Sequence, residues 1–169
     1  GEISLGFVGA ISEPHIVDYF PLAEDKLVLV TPNTAHYRQL KESGSYGRDL
    51  LSYPIVTREE GSGTDRSVQN YIRSLGLSPD SLNVVARVDD PEAIKRMVIS
   101  GVGISILSTL AVEQEVENGT LLAFEMDHNA LKRDIYLITL RGCSFTRTEQ
   151  KFIDFLKSCK RKRKHDAAL

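Results

Sequence analysis

The side chains with the most chemistry to offer lie in one run, Arg58-Glu59-Glu60-Gly61-Ser62-Gly63-Thr64-Asp65-Arg66. Two hydroxyls, two glycines and flanking charges follow an apolar stretch, Tyr53-Pro54-Ile55-Val56-Thr57, and precede Val68, Tyr71, Ile72 and Leu75 at helical spacing. The pattern predicts a strand, a tight glycine loop and a helix start. Such a junction can hold an anion, because the first backbone N–H groups of a helix have no internal partner and carry about half a positive charge. Ser62 and Thr64 would add hydroxyl donors, and Arg58 or Arg66 would add charge if turned inward. A plainer reading stands beside this one: Ser62-x-x-Asp65 is also a helix N-cap in its own right.

Other chemistries find little support. A nucleophilic Ser62 would need a base within hydrogen-bond reach, and Glu59, Glu60 and Asp89 come with no local signature of one. His15, His36, His128 and His165 share no ligand spacing with each other or with Cys143 and Cys159, so no metal site and no cofactor is expected. The two cysteines read as reduced thiols. With 41% hydrophobic residues in 169, the chain is ordinary globular material. It shows no apolar run near the roughly 20 residues of a membrane helix and no basic-then-apolar leader, so no membrane partner and a cytoplasmic location are expected.

The net charge of −2 is unevenly spread. Lys157, Lys160, Arg161, Lys162, Arg163 and Lys164 cluster at the end, leaving 15 basic against 23 acidic residues elsewhere. An acidic body does not suit nucleic acid, which needs clustered cations on a folded face. The basic cluster fits a solvated helix end or a nucleic-acid patch.

The elements that must position the loop can be read in order. Ile3, Leu5 and Phe7 alternate as a strand, and Leu27-Val28-Leu29-Val30 forms a short one stopped by Thr31-Pro32-Asn33. Asp90-Pro91-Glu92 opens a helix with Ile94, Met97 and Val98 on its inner face, and Gly101 stops it. Gly101-Val102-Gly103-Ile104 turns into a buried strand to Leu107, and Ser108 caps a further helix closed by Asn118-Gly119. After Ile135–Leu140, Thr146-x-x-Glu149 is a capping box for a helix with Phe152, Ile153, Leu156 and Cys159 inward. Alternating strands and helices predict a parallel α/β protein.

Taken together, Leu5-Gly6-Phe7-Val8-Gly9, Leu27-Val28-Leu29-Val30-Thr31-Pro32, Glu60-Gly61-Ser62-Gly63-Thr64, Asp90-Pro91-Glu92-Ala93-Ile94-Lys95 and Gly101-Val102-Gly103-Ile104-Ser105-Ile106-Leu107 resemble, in order and spacing, the effector-binding domain of LysR-type transcriptional regulators. The resemblance implies a type 2 periplasmic-binding-protein-like, two-lobed α/β fold. Lobe one would hold residues 1–26 and 123–160 and be incomplete, lobe two residues 27–122, and 161–169 a disordered basic tail. It implies a small-molecule effector, a carboxylate or sulfate-like anion, lined by Ser62, Gly63, Thr64, Gly101, Val102, Gly103 and Ile104, with Val8, Gly9 and Ala10 facing them. Both glycine loops of lobe two are expected at the carboxyl ends of strands. Family members carry an N-terminal winged helix-turn-helix and further lobe-one elements, so these residues read as a piece of a longer regulator, self-associating as a homodimer or higher and reaching DNA only through that other part. A transport solute-binding protein is the alternative, and an enzyme on the same fold a more remote one. Thr64→Ala is expected to remove the effector response while the fold survives, since an exposed cap costs about 1 kcal/mol.

Overall fold

A computed structural model describes residues 4–11, 15–128 and 131–166, with side chains as far as residue 159. In chain order the elements are β1 (Leu5–Val8), β2 (Val17–Pro32), α1 (Ala35–Glu42), β3 (Ile55–Arg58), α2 (Gly63–Ser74), β4 (Val84–Val88), α3 (Pro91–Ile99), β5 (Ser105–Ser108), α4 (Thr109–Glu117), β6 (Leu121–Phe124), β7 (Leu131–Leu140) and α5 (Arg147–Asp166). Short 3₁₀ turns occupy Gly47–Leu50 and Pro79–Ser81. The chain forms two compact units, residues 1–24 with 134–169, and residues 25–133. The boundaries read from sequence placed 123–133 with the first unit. Phe124 and Met126, 2% and 0% exposed, pack instead into the core of the second, and they carry the segment with them.

In the first unit β1 runs antiparallel to β7, Leu5 opposite Thr139 and Val8 opposite Tyr136. Ile3, expected to begin this strand, lies outside the described residues. The capping box at the start of α5 is formed as expected: Glu149 N–H donates to Thr146 Oγ1, and Thr146 N–H donates to Glu149 Oε2 at 2.7 Å. Ile153 faces inward, but Phe152 is 41% exposed and meets Phe7 edge to face, 6.5 Å between centroids. The helix continues to Asp166, so the basic cluster from Lys160 to Lys164 is helical rather than a separate tail from 161.

The second unit has its apolar sequence in two layers. Leu27 and Leu29 point into one buried cluster with Ile55, Ile72 and Ile104, while Val28 and Val30 point into another with Val56, Ile94, Val98 and Leu107. Both faces of this strand are covered, so the run is continuously apolar rather than alternating. Each such side chain contributes roughly 1.5–3 kcal/mol on burial.

The sheet is mixed, not parallel. β3 and β4 pair in parallel, and Ile55 and Ile104 form a parallel bridge, but β2 runs antiparallel to both β5 and β6. Alternation of strands and helices gives β3 to β6 a common direction. It does not constrain β2, which enters from the first unit and runs against them. β2 is also longer than expected, sixteen residues rather than four.

This topology separates two loops expected to lie together. The Ser62–Thr64 loop follows β3 at its carboxyl end. The Gly101–Ile104 turn leads into β5 at the amino end, beside Pro54. Ile104 N–H donates to Pro54 O at 2.8 Å, and Val56 N–H donates to Ile104 O at 2.8 Å. A Cβ on Gly103 would lie 2.6 Å from the Pro54 carbonyl oxygen, which is why only glycine fits there.

Candidate functional site

Helix α2 begins as the local sequence dictates. Gly61 has φ +80°, the left-handed turn that brings the chain out of β3. Ser62 is the N-cap, its Oγ accepting from Asp65 N–H at 3.2 Å. Asp65 reciprocates, its Oδ2 accepting from Gly61 N–H at 3.0 Å and from Gln69 Nε2 at 2.8 Å. Its other oxygen lies 3.8 Å from Arg87 Nη1. The cap reading is therefore realised, with one lone pair of Ser62 Oγ engaged.

What the cap leaves over is an unsatisfied group of donors. The backbone N–H groups of Gly63 and Thr64 have no hydrogen-bond partner among the described residues. They point out of the helix N-terminus, where the dipole favours negative charge. Thr64 was expected to be an exposed position; it is 4% exposed. Its Oγ1 accepts from Arg133 Nη1 at 2.8 Å, while its own hydroxyl hydrogen meets no acceptor among the described residues.

Arg133 had no place in the sequence reading. It stands on β7, and its Nε and Nη2 both donate to Asp25 Oδ2 at 2.8 Å. Asp25 is 4% exposed and takes a third bond, from Ser108 Oγ at 2.7 Å, on its other oxygen. Ser108 begins α4 without a side-chain cap bond because its hydroxyl is committed to Asp25. Four residues on β2, α2, β5 and β7 thus form one buried chain of hydrogen bonds ending at Thr64. Nothing local marks it: Arg133 lies in a polar triplet, Lys132-Arg133-Asp134, that reads as solvent-facing strand.

The arginines proposed from sequence have other occupations. Arg58 donates to its neighbour Glu59 at 2.7 and 2.9 Å, and that hydrogen bond holds the Glu59 carboxyl below the usual range. Arg66 is exposed. A notch of about 20 Å³ lies beside Thr64, lined by Ile55, Val68, Ile106 and Thr57 among others, with space for one water or a methyl-sized group.

Of the residues singled out, Ser62, Gly63 and Thr64 form one cluster. Gly101, Val102 and Gly103 lie at the opposite end of the strands. The Ile104 side chain is fully buried in the core. Val8, Gly9 and Ala10 belong to the first unit, at the end of β1. No group of three or more histidine, cysteine or acidic side chains that could hold a metal occurs among the described residues, and no helix there is long and apolar enough to cross a membrane.

The family model of the LysR substrate binding domain matches residues 1–160. Among curated relatives, the HTH-type transcriptional regulator CysL of Bacillus subtilis is 26% identical over 93% of this chain and 51% of its own length. The HTH-type transcriptional activator CmpR of Synechocystis is 30% identical over 79% of this chain and 42% of its own. The chain thus spans about half the length of these relatives. The solved regulatory domain of Synechocystis CcmR, in complex with 2-PG, superposes with a TM-score of 0.77 at 26% identity, covering 94% of this chain and 74% of that one. The fold is the expected periplasmic-binding-protein-like α/β fold, and the chain belongs to the LysR substrate binding domain family.

Proposed function

We propose that this chain is the effector-sensing part of a LysR-type transcriptional regulator, and that it binds a small anion, a carboxylate or sulfate-like group, at the start of α2. The observation that carries the reading is the set of three unsatisfied donors, Gly63 N–H, Thr64 N–H and the Thr64 hydroxyl, at a helix N-terminus at the carboxyl end of a strand. The CcmR domain, solved in complex with 2-PG, supports it by likeness. Binding without catalysis is the reading we favour, because the relatives are transcriptional regulators. Gly101–Ile104 then contributes by holding β5 against β3. In this reading DNA contact, self-association and a cytoplasmic setting are properties of the whole regulator, supported by likeness to its relatives. The effect of ligand would be a shift between conformations of that regulator, set by its differential affinity for them.

The test uses the full-length regulator, a panel of small carboxylates and oxyanions, and calorimetry. We expect at least one to bind, and Thr64→Val, which keeps the shape and removes the hydroxyl, to weaken it by about tenfold or more. A ligand that binds Thr64→Val and wild type equally would move the site elsewhere.

A further inference from the structure

Between α2 and β4 lies a groove of about 490 Å³, wholly within the second unit, whose lining differs in chemistry from the donors at Gly63 and Thr64. Glu60, Asp65 and Asp80 bring three carboxylates to it, Arg73 and Arg87 two guanidiniums, and Val68, Leu82 and Val84 an apolar contribution. We infer that this groove is a second small-molecule site, built for an α-amino acid, with the ligand's ammonium on Asp65 and its carboxylate on Arg87.

The two recognising groups form an ion pair that does not close. Asp65 Oδ1 and Arg87 Nη1 stand 3.8 Å apart, too far for a hydrogen bond, with the carboxylate side chain 6% exposed and the arginine 50%. Asp65 Oδ2 is held by Gly61 N–H and Gln69 Nε2, whereas Oδ1 has no donor within hydrogen-bond distance among the described residues. A buried carboxylate oxygen in that position costs stability unless something in the groove donates to it. Arg87 is also half used. Its Nη1 lies 3.5 Å from Thr57 Oγ1, and its Nε and Nη2 have no partner among the described residues. Those two nitrogens are one edge of the guanidinium fork, the edge that a carboxylate takes bidentately. In an α-amino acid the ammonium and the carboxylate are carried on one carbon, so a single zwitterion laid along the open pair satisfies both.

The rest of the groove narrows the class of ligand. Arg73 is committed along α2, donating to Gln69 Oε1 at 2.9 Å and to Asn70 Oδ1 at 3.2 Å, and Gln69 in turn donates to Asp65 at 2.8 Å. The α2 wall is thus fixed before a ligand arrives, and Arg87 is the guanidinium left to receive one. Three carboxylates against two guanidiniums tell against a simple anion, so the ligand must bring a positive charge of its own. No group of three or more acidic side chains among the described residues is placed to hold a metal, so that charge is an organic ammonium. Val68, Leu82 and Val84 offer apolar contact to its side chain, for which the volume leaves room beyond the head group.

The experiment titrates the ¹⁵N-labelled 169-residue chain with each of the standard L-amino acids and follows the amides of β4, Val84 to Val88. At least one amino acid is expected to give saturable shifts there. For that one, the analogue lacking the amino group and the analogue lacking the carboxylate should each bind about tenfold more weakly or worse, because each forfeits a charge-assisted hydrogen bond. Arg87→Gln and Asp65→Asn should weaken the parent amino acid by a similar factor. Asp65 also serves the α2 cap, so where its variant fails to fold, Arg87→Gln, at a half-exposed position, decides the matter. No saturable shift on β4 with any amino acid, an analogue that binds as tightly as its parent, or an unchanged affinity in Arg87→Gln overturns the inference. Sulfate is the control and should leave β4 unmoved; sulfate that binds there as tightly as the amino acid overturns the inference too. None of these results bears on the anion site at Gly63 and Thr64, which is read from its own amides.

Discussion

Removing Asp25 should be the most costly single polar change in the second unit. Asp25→Ala takes away a carboxylate that accepts two bonds from Arg133 and one from Ser108, all at 2.7–2.8 Å. With side chains 4% and 16% exposed, solvent does little to screen the pair. Breaking a buried ion pair by deleting one partner costs about 3–5 kcal/mol, chiefly because the other charge is stranded. The orphaned Ser108 hydroxyl is part of the same loss and is not added again. Against a total stability of about 5–15 kcal/mol, that is a large share, and at about 2–4 °C per kcal/mol for a chain of this size it lowers Tm by roughly 10 °C. A matched control lies in the same protein. Asp18 pairs with Arg141 at 2.9 Å, but the two are 60% and 55% exposed, so Asp18→Ala should cost under about 1 kcal/mol. Thermal unfolding of both variants decides it. If Asp25→Ala falls no further than Asp18→Ala, the network ending at Thr64 is not the buried anchor described above.

Further expectations follow from single contacts. Gly103→Ala places a Cβ 2.6 Å from the Pro54 carbonyl oxygen and should cost about 1–3 kcal/mol in urea unfolding; a neutral result would mean that β3 and β5 tolerate separation. Gly101→Ala meets no atom but sits at φ +81°, and about 1 kcal/mol is expected. The hydrogen bond from Lys95, 2.8 Å from Glu115 Oε1, holds the Glu115 carboxyl below its ordinary 4.5 despite burial. Because the folded value is the lower one, this pair's stabilisation is present above the unfolded value and is lost as pH falls through the folded one. Tm measured from neutral to acid pH should therefore drop less steeply in a Lys95→Met, Glu115→Leu double variant; identical slopes would refute the assignment. Tyr71→Phe removes a hydroxyl that donates to Asp127 Oδ2 at 2.9 Å, and should cost about 1 kcal/mol by the same measurement.

Which features the sequence disclosed depends on how local their causes are. The Asp90-Pro91 helix start, the Ser62–Asp65 cap and the Thr146–Glu149 box each depend on residues within one turn, and each forms as read. The continuous apolar run Leu27–Val30 was legible too, but not that β2 extends back to Val17. Pro21 and the charges Glu24, Asp25 and Lys26 interrupt the pattern, and only the distant Arg133 and Ser108 make Asp25 acceptable inside a sheet. Helix α1 was missed because it buries no residue fully; only Tyr37 and Leu40 pack against the core. The donors of the site were visible as a glycine loop. The partner of the Thr64 hydroxyl was not, since Arg133 lies 69 positions away in sequence. Gly101 and Gly103 were recognised as a turn, but the reason for Gly103 is the Pro54 carbonyl, a contact between segments far apart in the chain.

The central claim is that the free N–H groups of Gly63 and Thr64 receive an anion. Titrating the ¹⁵N-labelled chain with sulfate tests it residue by residue. Saturable shifts are expected at Gly63 and Thr64, with an affinity about tenfold weaker or more in Thr64→Val and little change at Gly101 and Gly103. Shifts that never saturate, or that centre on residues outside the α2 N-terminus, would contradict it.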